Sequence, residues 1–101
     1  MKKFVFITFC LLTAFFFSIT TYSSEKLFAK CSGCHGKDGS KHALGVSNPL
    51  KGQSKEEIIK KLNGYKNGTY GGSKKRMMES QAKRLSKEDI EKLAEYISKL
   101  Q

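Results

Sequence analysis

Beyond its first 23 residues this chain has little of what a small domain uses to hold itself together. Two cysteines remain, Cys31 and Cys34, and they are three positions apart. A disulfide between such neighbours would close almost no loop and would constrain the unfolded chain very little. There is a single proline, Pro49. No alternating run reads as a strand, and no internal repeat or low-complexity segment is present. Apolar residues are sparse, chiefly Leu27, Phe28, Leu44, Val46, Leu50, Ile58, Ile59, Leu62, Leu85, Ile90, Leu93, Ile97 and Leu100. A domain this small buries only about 60% of its unfolded surface and usually needs a staple. Neither disulfides nor apolar bulk supply it here.

The first residues follow other rules. Six of the seven Phe lie within residues 1–17. Lys2 and Lys3 precede a 16-residue apolar run, Phe4 to Ile19, which gives way to the small and polar "TTYSS". A basic start, an apolar middle and a small-residue exit are the parts of a secretory signal. The run falls short of the roughly 20 residues a spanning helix needs. The exit is no clean A-x-A, and the best cleavage site follows Ser23; an uncleaved N-terminal anchor is the alternative. Cys10 sits inside the run, in no lipobox, and takes no part in the chemistry. The expected organisation is a signal peptide over residues 1–23 and one domain over 24–101. That domain carries 17 basic and nine acidic residues, a net charge of +8.

The local patterns are helical. "EKLFAKCSG", residues 25–33, suits a short helix with Ser24 as N-cap and Leu27 and Phe28 inward. Residues 36–53 hold four glycines and the only proline, a loop signature. "SKEE", Ser54 to Glu57, is a capping box opening a helix that bears Ile58, Ile59 and Leu62, with Gly64 as its expected end. A glycine-rich loop, "GYKNGTYGG", and a short helix over "KKRMMESQAKRL" come next. "SKED", Ser86 to Asp89, starts the last helix. Its Ile90, Leu93, Ala94, Ile97 and Leu100 form one stripe. The domain reads as all-α with long loops.

The thiol pair lies in "CSGCHGKDG". A structural zinc would need a second Cys or His pair some 12–20 residues on, and only His42 remains. A thioredoxin-like dithiol would sit at a helix N-terminus after a strand, whereas this pair ends a helix with no strand before it. C-x-x-C-H has a third use: both thiols add to the vinyl groups of a haem, and the next His becomes an axial iron ligand. A covalent haem would be the missing staple, and it suits an exported protein that could lose a loosely held cofactor. With His35 on one face, the other ligand must come from elsewhere. His42, seven residues from His35, has a tight path round the haem edge and otherwise reads as an exposed loop histidine. Met77 and Met78 lie 42 and 43 residues on, with ample reach. Thioether ligation beside His raises the reduction potential and suits electron transfer. Spacing leaves the choice between the two methionines open, and plain core packing is their other use.

"CSGCHGKDGSKHALG", "NPLKGQ", "GYKNGTYGG", "KKRMME" and the C-terminal amphipathic helix, in this order, resemble the small bacterial class I cytochromes c of the c-553 kind. The resemblance covers residues 25–101. It implies an all-α class I cytochrome c fold: three to five short helices and long loops wrapped round one covalent haem c, held through Cys31 and Cys34. It further implies that the iron is bound by His35 and Met78, with Met77 packed nearby. The Pro49 carbonyl would accept from the second ring nitrogen of His35, and the N- and C-terminal helices would pack together. Tyr65 and Tyr70 flank the glycine loop. Tyr65 is expected to line the haem crevice or bond a propionate, with ordinary loop packing as the alternative. Gly71 and Gly72 would let the backbone approach the porphyrin.

Lys37, Lys41, Lys51, Lys74, Lys75 and Arg76 are expected round the haem edge, where they would steer encounter with acidic docking surfaces. Simple solubility is the other use of this charge. Nucleic acid is not expected as a partner, given export and no aromatic-interleaved basic motif. The expectation is a monomeric periplasmic one-electron carrier and not an enzyme. The resemblance implies a quinol-oxidising complex or formate-dehydrogenase-type donor and a terminal oxidase as acceptor, with membrane contact only through these partners unless the signal is retained. A haem enzyme or gas sensor with a vacant sixth site, and a haem-free dithiol oxidoreductase, are the rivals.

Overall fold

The computed structural model describes residues 23–100. The expected signal segment, Cys10 included, lies outside the described residues apart from Ser23. Among the described residues there are five α-helices and no strand: α1 (Ser24–Ala29), α2 (Ser32–His35), α3 (Lys55–Asn67), α4 (Arg76–Lys83) and α5 (Lys87–Ser98). A 3-10 turn, Ala43–Gly45, interrupts the loop between α2 and α3.

The capping box expected at the start of α3 forms, and a second closes the start of α5, where "SKED" is expected to begin the helix. Ser54 and Glu57 exchange side-chain and backbone bonds at the start of α3, and Ser86 and Asp89 do so for α5. Each satisfies two amide groups that a helix start otherwise leaves unpaired. The cap of α1 is Ser23, whose hydroxyl accepts from the Lys26 amide at 3.4 Å, one residue earlier than expected. The chain then breaks at Lys30 and Cys31 before the single turn of α2.

Gly64 does not end α3. The helix runs on to Asn67 and stops at Gly68, whose φ of 74° gives the left-handed cap that glycine adopts at least cost. Gly64 instead provides clearance. A Cβ there would lie 2.5 Å from Cβ of Tyr70, so only glycine lets the returning loop cross the helix this closely.

The core sits between α1, α3 and α5. Leu27, Phe28, Ile58, Leu62, Ile90, Leu93, Ala94 and Ile97 form one buried cluster. Ile90, Leu93, Ala94 and Ile97 of the expected stripe face inward, with Ile90 and Leu93 the largest fully buried side chains, while Leu100 falls past the end of α5 and is half-buried against the cluster. Phe28 of α1 meets Tyr96 of α5 with ring centroids 5.3 Å apart, so the N- and C-terminal helices of the domain do pack together. No helix among the described residues is long and apolar enough to cross a membrane.

Candidate haem centre

Cys31, Cys34 and His35 are brought together by a single helical turn. The His35 amide donates to the Cys31 carbonyl at 3.0 Å, and the Gly36 amide donates to that of Ser32 at 2.8 Å. Gly36, at φ 85°, then turns the chain away, which a side-chain-bearing residue would do only under strain. Both cysteines are free thiols, Cys34 exposed and Cys31 half-buried against the core. Burial, with the neighbouring Cys34 second, pushes the Cys31 thiol up, against a smaller lowering by Lys30.

His35 is the one buried polar residue among the described residues, at 6% exposure. Burial lowers its pKa, which favours the neutral imidazole that a metal requires. Its Nδ1 has no hydrogen-bond partner. Such an orphaned buried group costs about 1–3 kcal/mol, and a buried imidazole is seldom left this way without a function.

The two methionines separate clearly. Met78 is half-buried and packs against the same cluster as Cys31, whereas Met77 is 54% exposed. One turn of α4 thus places one thioether inward and the other outward. His42 is exposed, and its Nδ1 lies 2.9 Å from the Ser47 carbonyl, where it pins the 42–47 loop.

Tyr65 and Tyr70 form an edge-to-face pair, centroids 5.0 Å apart and planes at 81°. Gly71, at φ 109°, presses on this pair: a Cβ there would sit 2.7 Å from Tyr65 Cε1 and 2.7 Å from Lys75 Cβ. In the described contacts, the glycine admits a tyrosine. Burial, with a smaller contribution from Tyr70, raises the Tyr65 phenol.

Pro49 is half-buried, and its carbonyl accepts from Gln53 Nε2 at 2.8 Å. No bond joins it to His35 in this structure. Gln53 escaped the sequence reading, although its place four residues after the proline allowed a side chain to reach that carbonyl.

Of the six cations expected near the haem edge, Lys51 pairs with Asp38 at 3.9 Å and Lys75 with Glu79 at 3.4 Å. Lys37, Lys41, Lys74 and Arg76 are exposed and form no ion pair among the described residues. A shallow recess of about 260 Å³ is lined by Glu57, Lys60, Lys61 and Tyr70, none of them in the attachment motif.

These features fit a haem. The thiols are unpaired, the histidine is buried with an unmet nitrogen, and the exposed apolar side chains Leu44, Val46 and Tyr70 lie outside α1, α3 and α5. Helical cradle and motif together define a domain that binds haem covalently. The comparisons agree: the family model described as cytochrome c matches residues 24–101, and the chain belongs to that family. It is 51% identical over 74 residues to cytochrome c-553 of Nitratidesulfovibrio vulgaris, covering 73% of this chain and 72% of that one. It is 50% identical over 74 residues to cytochrome c-553 of Desulfomicrobium norvegicum, covering 73% and 90%. Cytochrome c-553 of Helicobacter pylori strain 26695 is 42% identical over 76 residues, covering 75% and 76%. The chain is a haem-containing electron carrier of c-553 type, with haem c attached through Cys31 and Cys34.

Proposed function

We propose that this protein is a monomeric periplasmic carrier that passes single electrons between respiratory redox enzymes, with His35 and Met78 as the axial ligands of its iron. The observation that carries this reading is the contrast within α4: Met78 borders the cluster that Cys31 also borders, and Met77 points to solvent. When bound, the haem supplies the ferric/ferrous couple. The chain's own residues do the rest. The turn of α2 fixes both thiols and the imidazole on one rigid segment, so His35 is oriented before it meets a metal. Burial favours the neutral form of His35. The Pro49 carbonyl, which has a second lone pair beside the one that Gln53 uses, would accept from His35 Nδ1–H and strengthen the imidazole as a donor. Tyr65, held by Gly71 and Tyr70, would line the crevice.

With His35 and Met78 both holding the iron, no position on it would be left for a substrate, and the reading is of a carrier rather than an enzyme. The exposed cations Lys37, Lys41, Lys74 and Arg76 would steer the protein to acidic docking surfaces. The partners that fit are a quinol-oxidising complex or formate-dehydrogenase-type donor and a terminal oxidase, with nucleic acid no part of the function. The residues before Ser24 would act as the export signal.

The test is made on the purified holoprotein. The ferrous form should resist carbon monoxide, and electron transfer with an acidic redox partner should slow steeply as salt is added. Rapid carbon monoxide binding would replace this reading with a haem enzyme or gas sensor. A flat salt response would remove the docking role of the cations.

A further inference from the structure

Gln53 is the middle link in a chain of three groups. Its Nε2 donates to the Pro49 carbonyl at 2.8 Å, and its Oε1 accepts from Lys61 Nζ at 2.6 Å. All three residues are half-buried. The Gln53 backbone amide also donates to the Leu50 carbonyl at 3.2 Å, so main chain and side chain close the same turn ahead of α3. An ammonium on one end of an amide polarises it and makes its N–H a stronger donor at the other end. The carbonyl so held keeps a free lone pair, and His35 Nδ1 is buried without a partner.

We propose that Gln53, anchored by Lys61, is a positioning residue that fixes the direction of the Pro49 carbonyl and thereby sets how strongly His35 donates to iron. This rests on the reading that Pro49 accepts from His35 Nδ1–H. A carbonyl gripped through one lone pair offers the other in a fixed direction. Released, it loses alignment, and hydrogen bonds weaken steeply with angle. The imidazole then donates less electron density, ferric iron is less stabilised, and the reduction potential rises.

The experiment uses holoprotein carrying Gln53→Leu, Lys61→Met or Lys60→Met, with redox titration and NMR of the ferrous state. At an applied potential equal to the wild-type midpoint, Gln53→Leu should shift the ferric-to-ferrous ratio toward ferrous by about tenfold. Lys61→Met removes a positive charge, which by itself favours ferric iron. Lys60→Met removes the same charge from the adjacent exposed position, with no bond to Gln53, and serves as its control. The Lys61 variant should therefore lie on the ferrous side of the Lys60 variant. An unmoved or lowered potential in Gln53→Leu overturns the proposal. If that variant fails to take up haem, the lysine pair decides, and coincident potentials overturn it. Coupling across the hydrogen bond, from His35 Nδ1 to the Pro49 carbonyl carbon, separates the two layers. Its absence in the wild type sinks the Pro49 reading itself. Its presence in both wild type and Gln53→Leu, unchanged, leaves Pro49 in place and removes Gln53.

Discussion

The face built by α1, α3 and α5 and the face that carries the attachment motif satisfy their atoms in opposite ways. On the first, apolar side chains bury one another, and helix starts are capped by their own serines and acids. Charges there find partners nearby: Lys55 and Lys99 both reach Glu95, at 3.0 and 2.8 Å, and Lys92 reaches Glu88 at 2.9 Å. On the second, a buried imidazole nitrogen has no partner, two thiols are free, and Leu44 and Val46 are 49% and 65% exposed. Leu44 even adopts φ 54°, a left-handed conformation that a leucine occupies only under strain. One face is finished by the chain. The other is shaped to be finished by a group that the chain does not encode, and its unmet atoms mark where that group belongs.

The contrast can be broken most directly by withholding the haem. The cluster of α1, α3 and α5 holds eight buried residues, a thin core for a domain of this size. Cys31→Ser, which weakens attachment, should therefore leave little folded protein, read as loss of far-ultraviolet helical signal. A haem-free variant that kept its helicity and melted cooperatively would show that the helical face stands alone.

A smaller effect sharpens the comparison inside the motif face. Gly71→Ala forces a Cβ into Tyr65 and Lys75 at a φ of 109°, and should destabilise the holoprotein by about 1–3 kcal/mol in denaturant melts. At Gly72 a Cβ meets nothing within 4 Å, so Gly72→Ala should stay within about 0.5 kcal/mol of wild type. Equal costs at the two positions would mean that the tyrosine pair is not held by this close approach.

The smallest effect belongs to the helical face. The Glu95 carboxyl is pulled from 4.5 to about 2 by hydrogen bonds from Lys99 and Lys55. A depressed carboxylate contributes stability that is present above its unfolded pKa and is lost as pH falls through the folded one. Glu95→Gln should thus leave thermal stability nearly unchanged at neutral pH, since Glu95 and its two lysines are each more than a third exposed and so screened by solvent. The wild-type advantage, however slight, should shrink between pH 4.5 and about 2. A difference that grew on acidification would contradict the assignment.

Much of this was legible in the sequence because it is local. The α3 capping box, the α5 stripe from Ile90 to Ile97 and the C-x-x-C-H turn depend on residues within a turn or two of one another, and these appear where expected. What misled was tertiary. Gly64 reads as a helix stop, yet it is needed inside the helix because Tyr70 crosses there. Ser23 displaces Ser24 as cap, a one-residue shift that composition cannot resolve. Gln53 drew no attention because its roles depend on Lys61 eight residues away and on a carbonyl in a loop. The two methionines are equivalent in spacing; the family resemblance favours Met78, and the packing of α4 adds that Met78 is half-buried against the core while Met77 is exposed.

The central claim, that the motif face is completed by an iron held between His35 and Met78, meets its most direct test in the near-infrared thioether–iron band of the ferric holoprotein. Wild type and Met77→Ala should both show the band, and Met78→Ala should lack it. A band that survives in Met78→Ala and disappears in Met77→Ala would contradict the account.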